Sequence, residues 1–435
     1  MKMTKRIHAK DTMTSEERLR AAINLQVPDR VPVCPRIYYF AAKYAGVDNA
    51  DLYDPTVWND AINKCFRELG PWDIINPWGF YHIEVLSLIF PMKLLVPGLT
   101  LPRDSILQFL EEEIMEFEDY QWIMKICKQT PSLSFLRLVM KWEPKIWSQV
   151  SKGWKGYAYM MPRLLDHLLT WRKEFKQWNE KGVTPLSGAG VEAAFDSFSM
   201  ARGLVNFARD LKKHPDEIAR AAEAMTEGNL YLIKSASPIL GIKRAAIALH
   251  RSSNDFISPD TFKRLSLPSL KDLVERLKAD GMSSHLHCDG NWDLNFEALR
   301  ELPAGCAVVE LDGTSDIFKA KEVIGDRMCI SGDVPASLLA LGSVSEVDEY
   351  CHRLIEEVGR GGGFILTAGC EVAPNAKPEN VKAMMGSVVK YGYYDRSLLI
   401  KRLPLAPEVV RIPLPPPLTN ALSMGFIADS IWSMI

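Results

Sequence analysis

The sequence predicts an α/β protein built as a (β/α)8 TIM barrel. From residue 185 onward, short apolar segments alternate with helical segments at a spacing of roughly 20 to 40 residues, which is typical of a parallel sheet. About eight such strands can be counted along the whole chain, and a glycine or an acidic residue follows most of them. This strand number favours a closed barrel over an open, doubly wound sheet.

An amino-terminal helical extension is predicted over residues 1–30. Thr14 and Glu17 have the spacing of a capping box, and Pro28 ends the helix that they begin. A short apolar strand over 31–35 then opens the barrel, which we place at residues 31–400. A helix over 61–69 and a second strand over 72–78 follow.

Residues 98–180 have the weakest pattern and are predicted to form a variable helical insertion. Five tryptophans fall between positions 142 and 178, beside Met160 and Met161. Such a segment can form a substrate lid or a docking face for another protein. Aromatic residues more often pack in a core, and we favour packing here.

The regular part of the barrel follows residue 185. The predicted strands there cover 186–190, 244–250, 284–289, 307–312, 328–332 and 364–367. A predicted helix ends at residue 213. The helices predicted after it cover 216–235, 261–279, 295–301, 317–324, 347–359 and 378–392. Six prolines between 404 and 417 then predict an extended C-terminal arm over 401–435, lying on the barrel or on a neighbouring subunit.

The composition of the chain argues against several classes of partner and of cellular location. The chain has 435 residues, of which 47% are apolar and 24% charged, and its formal net charge is −2. This balance gives no electrostatic reason to expect nucleic acid or a membrane surface as a partner. Eight scattered cysteines without a CxxC pair, no secretory signal and no apolar run of about 18 residues lead us to expect a soluble, cytoplasmic protein with reduced thiols.

The strongest chemical signal is the predicted strand that carries His285, His287 and Asp289. Side chains alternate along a strand, so these three share one face while Cys288 points to the other. Two imidazoles and a carboxylate at the carboxyl end of a barrel strand can form half of a metal site. The alternative is one catalytic or substrate-orienting histidine beside an ordinary core histidine, and this stretch alone leaves both open.

Later strand ends supply further candidate ligands. Glu310 and Asp312 share one face of their strand, and Cys370 comes just past the last strand. The strand ends of a closed barrel meet at one mouth, so an imidazole, a thiolate and one or two carboxylates can form a tetrahedral zinc site there. Other residues placed at strand ends, where they could position substrate, are Asp73, His250 and Asp333.

Several segments resemble the uroporphyrinogen decarboxylase superfamily. The resemblance covers roughly residues 13–395, is strong from 240 onward and is thin between 98 and 180. The segments that carry it are 13–18 with 28–33, Ser258-Pro259 with the following helix, 287–291, 330–335, and 362–366 through Gly369-Cys370 to 378–380.

The resemblance also separates two branches. The decarboxylases carry an Arg-Gln-Ala-Gly-Arg type of segment after the first strand, whereas this chain has Pro35 to Phe40 with Arg36 as its one arginine. One arginine cannot pair with several porphyrinogen carboxylates, which disfavours tetrapyrrole decarboxylation. The zinc methyltransferases of corrinoid pathways hold their metal by His-x-Cys, a Glu and a distant Cys. The matching positions are His287, Asp289, Glu310 and Cys370, and three of the four residue types agree.

Asp289 stands where that branch has its first cysteine, and a carboxylate makes a harder, more electrophilic zinc than a thiolate does. Such a metal suits an oxygen or nitrogen leaving group. We therefore expect demethylation of a small methyl ether or methylamine, with the methyl group passing between it and a corrinoid. The chain lacks the corrinoid-binding Asp-x-His-x-x-Gly, so a corrinoid-binding partner protein would carry the cobalamin. Transfer from a methylcorrinoid to tetrahydrofolate or a thiol stays open, as does a homodimer.

His285 is either a group that orients the site or a buried core histidine, with a slight preference for the core. The remaining histidines, expected to be structural, are His8, His82, His167, His214 and His352. Two other classes of function stay open: a metal-free lyase acting on a smaller carboxylated substrate, and a non-catalytic binding subunit. The lyase needs an arginine-lined mouth, for which the candidates are Arg36, Arg202 and Arg251.

Overall fold

The computed structural model describes residues 7–70, 72–76, 83, 85, 90–147, 152 and 154–395. The chain divides into a compact unit, Met1–Tyr394, and a second unit, Asp395–Ile435. The predicted arm over 401–435 and His82 lie outside the described residues.

In chain order the strands are β1 Val33–Cys34, β2 Ile74–Ile75, β3 Lys93–Leu95, β4 Gln108–Leu110, β5 Thr184–Pro185, β6 Gly190–Glu192, β7 Arg244–Leu249, β8 Ser283–Cys288, β9 Ala307–Leu311, β10 Cys329–Val334 and β11 Phe364–Ala368. Seven of them form one parallel sheet in the order β1-β11-β10-β9-β8-β7-β6, with a parallel pair β2-β5 and an antiparallel hairpin β3-β4 beside it.

Backbone hydrogen bonds close this sheet into the predicted barrel. The Asp73 N–H donates to the carbonyl of Val33 at 3.1 Å, which joins β2 to β1, and β2 pairs with β5. Gly188 lies between β5 and β6 in the chain, and its N–H donates to the carbonyl of Arg244 in β7 at 2.8 Å. β5 and β6 are therefore two parts of one interrupted strand, and eight strand positions surround the axis.

Helices pack around this barrel and over its two ends. They are α1 Ser15–Ile23, α2 Tyr39–Ala45, α3 Pro55–Glu68, α4 Asp119–Gln129, α5 Pro131–Ile146, α6 Trp154–Glu180, α7 Ala194–Arg202, α8 Leu204–Lys213, α9 Pro215–Leu240, α10 Pro259–Thr261, α11 Leu267–Ala279, α12 Phe296–Leu299, α13 Ile317–Ile324, α14 Ala336–Leu341, α15 Val344–Arg353 and α16 Pro378–Lys390. Short π-helical turns, Phe262–Ser266 and Leu354–Val358, extend α10 into α11 and α15 toward β11. None of the described helices is long and apolar enough to cross a membrane.

Helix α1 closes the amino-terminal end of the barrel. Its Thr14–Glu17 capping box forms as predicted, and Leu19, Ala22 and Ile23 turn inward. These three pack with inward-facing strand residues in a small core of their own. The strand residues are Cys34, Ile74, Leu186, Val308, Cys329 and Ile365. The polar residues of the barrel interior therefore lie above this plug, toward the carboxyl ends of the strands.

A buried ion network fixes this amino-terminal end. The Arg18 guanidinium donates to Asp29 and to Asp73 at 2.7 Å each, and Arg30 donates to Asp73 at 2.6 Å and to Asp11 at 2.9 Å. Asp73 precedes β2 and also accepts the N–H of Val33. The prediction that Asp73 lies at a carboxyl strand end is therefore wrong: its carboxylate neutralises two buried arginines at the opposite end of the barrel.

The insertion is helical as predicted, with α4, α5 and α6, but a hairpin, β3-β4, precedes these helices and was not predicted. Strands of three residues are too short to show alternation in the sequence. The expected packing of the tryptophans is confirmed for those whose side chains are described, since all four are buried: Trp142, Trp147, Trp171 and Trp178.

Candidate active site

The polar face of β8 points into the barrel. His287 pairs in register with Glu310 of β9 and with Ala248 of β7, and all three face the interior. Cys288 is fully buried among apolar residues in the layer between strands and helices, as predicted. The alternation along one strand thus places His285 and His287 in the interior.

Glu310 holds both imidazoles. Its Oε2 lies 2.9 Å from Nε2 of His285, and its Oε1 lies 2.6 Å from Nδ1 of His287. Arg36, which follows β1, pairs with the same Oε1, and its Nη1 lies 3.1 Å from Nδ1 of His287. Both carboxylate oxygens are engaged on the Nδ1 side of His287. Glu310, expected to bind the same metal ion as His287, therefore lies on the opposite side of this imidazole from Asp289 and Cys370.

The other predicted ligands gather on the Nε2 side of His287. Asp289 Oδ1 lies 3.1 Å and Cys370 Sγ lies 4.0 Å from this nitrogen. Nε2 of His250, at the end of β7, lies 3.5 Å from Asp289 Oδ2. Ligand atoms of His250, His287 and Asp289 all lie within 4.8 Å of one another. His250, expected to position substrate, thus lies against the candidate ligand Asp289.

The donor types of His287, Asp289 and Cys370 fit a zinc ion. Bond lengths of about 2.0–2.3 Å place neighbouring tetrahedral ligands roughly 3.3–3.8 Å apart, close to the separations of His287 from Asp289 and Cys370. Asp289 Oδ1 is buried and has no hydrogen-bond partner among the described residues, although it lies near His287 Nε2. A cation between Asp289 Oδ1 and His287 Nε2 would satisfy this oxygen. Imidazole, carboxylate and thiolate are all zinc donors.

Glu192, at the end of β6, is the carboxyl group that contacts His250 and changes its pKa. His250 Nδ1 lies 2.9 Å from Glu192 Oε1. Burial lowers the pKa of His250, but Glu192 and Asp289 outweigh it and raise this pKa to about 9. Burial in turn raises the pKa of Glu192 to about 7. Sequence reasoning missed Glu192 because the strand was predicted over 186–190, which placed its end two residues too early.

The pKa values of the other donors follow from burial and from their neighbours. Burial raises the pKa of the Asp289 carboxyl, but His287 and His250 outweigh it and hold this pKa well below the usual range. Burial lowers the pKa of His287 and keeps its imidazole neutral, the form that binds a metal. Burial also raises the pKa of Cys370 to about 12, so binding a metal through Sγ must release a proton.

Two residues of the site have left-handed backbones. Arg36 has φ 46° and Cys370 has φ 54°, a region that residues with a Cβ adopt at a cost. Both lie two residues past the end of a barrel strand, and the side chains of both contact His287. Among the described residues other than glycine, Leu25 is the one further case. Two of the three described residues with a Cβ and a positive φ are thus at the candidate site.

Asp312 supports the loop that follows β8. Its Oδ2 accepts the N–H of Gly290 at 2.8 Å, and its Oδ1 accepts the N–H of Thr314 at 2.8 Å. Gly290 has φ 79°, and a Cβ there would lie 2.6 Å from a carboxylate oxygen of Asp255. Only glycine fits this turn, which comes immediately after Asp289.

Above the polar cluster lies a cavity of about 460 Å³. Its base is formed by the polar residues described above, together with Glu371, whose pKa burial raises to about 7. Its wall and mouth are mostly apolar. The apolar side chains that line it include Phe90, Met92, Ile106, Leu107, Phe109, Met200 and Phe256. Several of them come from the hairpin β3-β4, so the sequence offered no basis for predicting this wall.

The remaining candidate site residues differ in whether they line the cavity. His285 lines the cavity, whereas Asp333 does not: its carboxylate accepts the Tyr350 hydroxyl of α15 at 2.8 Å. The expectation that Asp333 contacts substrate is therefore revised. Arg251 lines the cavity, but Arg202 binds Asp210 at 2.7 Å outside it.

Three of the histidines expected to be structural have aromatic neighbours outside the cavity: His167 with Trp171, His214 with Phe117 and His352 with Tyr391.

The carboxyl-terminal half of the chain matches a known family model. Residues 167–391, just over half of the sequence, match the model described as uroporphyrinogen decarboxylase (URO-D). The chain belongs to the uroporphyrinogen decarboxylase family. The superfamily resemblance in the sequence is thereby confirmed.

Curated members of this family are distant relatives. The chain is 23% identical over 242 residues to a uroporphyrinogen decarboxylase of Saccharophagus degradans, covering 52% of this chain and 64% of that protein. It is 33% identical over 103 residues to one of Methylococcus capsulatus, covering 23% and 27%. The chain thus matches less than two thirds of the length of either relative.

Among solved structures, the chain resembles a methyltransferase from Methanosarcina mazei. The TM-score is 0.62 with 19% sequence identity, and the match covers 87% of this chain and 99% of that chain. At this identity the likeness concerns the fold, and it confirms the predicted barrel.

Proposed function

We propose that this family member is a zinc-dependent methyltransferase that moves a methyl group between a small methyl ether or methylamine and a corrinoid carried by a separate protein. The observation that carries the proposal is that Asp289 and Cys370 both lie beside Nε2 of His287 at the base of an apolar cavity. Three protein donors leave one position for substrate, as in catalytic zinc sites. The fold shared with the Methanosarcina mazei methyltransferase is consistent with it.

The proposed step has a simple balance. The oxygen–methyl bond of the substrate breaks, and its electron pair stays on oxygen. The methyl carbon forms a bond with cobalt of the partner's reduced corrinoid, which supplies the electron pair, and the leaving oxygen gains a proton. Zinc supplies Lewis acidity that weakens the bond to the leaving group.

The chain's own residues have distinct parts in this proposal. His287, Asp289 and Cys370 bind the metal, and Glu310 keeps Nε2 of His287 turned toward it. His250 lies beside Asp289 in the cavity and is the proton donor that we assign to the leaving oxygen. Glu192 positions His250 through Nδ1. Apolar walls exclude water from the reacting methyl group.

Metal content tests the first part of the proposal. Plasma mass spectrometry of the purified protein should find about one zinc ion per chain, and Cys370→Ala should lose it. Cys306→Ser is a matched control, because Cys306 donates to the carbonyl of Pro303 away from the site. A metal-free wild-type protein would rule out the zinc mechanism.

Methyl transfer to reduced cobalamin tests the second part. We expect His250→Gln to retain its metal while its kcat falls by about 10²-fold or more, the contribution of a general acid. Unchanged kcat in this variant would remove His250 from the reaction.

A second function rests on a different observation: Arg36 and Arg251 both line the cavity. Two guanidinium groups could bind a carboxylated substrate for a metal-free lyase of the decarboxylase type. Each, however, already pairs with a carboxylate, Arg36 with Glu310 and Arg251 with Glu111. Decarboxylation of a small carboxylic acid by metal-free protein, lost in Arg251→Leu, would favour this function over methyl transfer.

A further inference from the structure

An aromatic wall leads from solvent to the base of the cavity. The Phe90 ring lies 5.2 Å from the His250 ring and 5.4 Å from the Phe109 ring, edge to face in both cases. Phe109 and Phe256 line the mouth and remain 43% and 47% exposed. Edge-to-face contacts with these rings are the geometry in which aromatic groups stack in proteins. The wall therefore offers an apolar surface of aromatic rings beside the candidate metal ligands.

The size of the cavity favours an aromatic substrate over a small amine. A cavity of about 460 Å³ is in the range that takes ligands of many heavy atoms, and a methylamine would leave most of it empty. Charge does not separate the two substrates, because Arg36 and Arg251 are paired with Glu310 and Glu111, and the carboxyl groups of Asp289 and Glu371 also line the cavity. Glu111, a carboxylate at the mouth, is paired with Arg251.

Asn76 supplies an independent polar observation. It follows β2 at the carboxyl end, lines the cavity and is 4% exposed. Within the described part of the chain, neither its side-chain nitrogen nor its side-chain oxygen has a hydrogen-bond partner. Leaving both atoms of a buried amide unpaired is costly, which points to a ligand group that both donates and accepts. A hydroxyl group meets this requirement.

We propose that Asn76 determines specificity by binding the hydroxyl of a methoxylated phenol, whose ring packs on Phe90 and Phe109. This assignment names the substrate class of the proposed methyl transfer. The binding of the phenol does not depend on that proposed function, but its demethylation does. The ring fills the apolar cavity, the methoxy group reaches the base beside His287, and the phenolic hydroxyl exchanges hydrogen bonds with the Asn76 amide.

Calorimetric titration of the full-length protein tests the binding directly. The probes are 2-methoxyphenol and methoxybenzene, which differ by one hydroxyl group, together with methylammonium. In Asn76→Leu, which removes the amide at similar volume, affinity for 2-methoxyphenol should fall about tenfold while affinity for methoxybenzene changes less than twofold. Asn206→Leu, on the surface of α8, should bind both ethers like the wild type.

A second variant keeps the test independent of any folding defect in Asn76→Leu. Phe109→Ala alters a half-exposed side chain and should weaken both ethers several-fold. Equal effects of Asn76→Leu on the two ethers, or binding of methylammonium in preference to them, would overturn the assignment. Hydroxyl-dependent binding without methyl transfer would contradict the proposed reaction alone, and transfer from methylamines but not ethers would contradict the substrate class alone.

Discussion

Glu310 connects three cationic or potentially cationic side chains through one buried carboxylate. It contacts His285, His287 and Arg36 at once, and its oxygens face away from the Nε2 side of His287. A carboxylate in this position fixes the ring orientation of a metal-binding histidine and raises its basicity. Its effect on metal binding is therefore indirect and depends on its charge.

We expect Glu310→Gln to weaken zinc binding 10- to 100-fold, because the amide fits the space but cannot accept from both imidazoles and pair with Arg36. Competition with a chromogenic chelator measures the affinity. Glu301→Gln, an exposed residue 3.7 Å from Lys271, is the control and should bind zinc normally. Unaltered affinity in Glu310→Gln would contradict the orienting role.

Because Asp333 is buried, we expect the free energy of unfolding to depend on pH. Burial raises its pKa to about 6 from 3.8, and this outweighs the hydrogen bond from Tyr350. The folded state therefore binds the proton more tightly than the unfolded state does. Stability from this group is complete below about pH 4 and is lost as pH rises through 6, at a cost of about 3 kcal/mol.

Asp333→Asn keeps an acceptor for Tyr350 without the buried charge. Urea denaturation at pH 8 should find this variant more stable than the wild type by up to about 3 kcal/mol, and the difference should shrink toward zero near pH 4. A difference that does not vary with pH would show that the Asp333 carboxyl titrates normally in the folded protein.

At the scale of elements, α1 is held to the barrel by buried charges. Arg18 is fully buried and contacts Asp11, Asp29 and Asp73. Removing one partner of such a network leaves the others charged and unpaired in the interior.

We expect Arg18→Ala to lower the free energy of unfolding by about 3–5 kcal/mol, measured by chemical denaturation. Arg20→Ala, on the same helix, is the matched control. Its side chain is 67% exposed and pairs with Glu16 four residues away, so its removal should cost less than about 1 kcal/mol. Similar losses in the two variants would mean that the buried network does not stabilise α1.

At the scale of the whole molecule, the sequence predicted the carboxyl-terminal half of the barrel well. The predicted strand over 307–312 and helix over 317–324 agree with β9 and α13, since buried parallel strands are continuous apolar runs between clear helical periods. Prediction was weaker for β5 and β6, where one strand is interrupted, and failed for the hairpin β3-β4. Pairing between short, distant segments leaves little local pattern.

The site was predictable in part for the same reason. Alternation along β8 placed His285, His287 and Asp289 on one face, a purely local property. Which side of an imidazole Glu310 contacts, and that Glu192 lies beside His250, depend on contacts between strands. No local pattern encodes those distances, nor the direction in which Asp333 turns.

The left-handed backbone of Cys370 has a consequence for how the protein balances activity against robustness. A glycine would adopt φ 54° without a steric penalty, so the chain keeps a cysteine there at the expense of its own stability. We expect metal-free Cys370→Gly to be more stable than metal-free Cys370→Ala by about 1 kcal/mol, the reverse of the usual order. At Cys306, which lacks a positive φ, alanine should be the more stable replacement. The strained backbone is thus a cost that the chain bears to keep a thiol at this position.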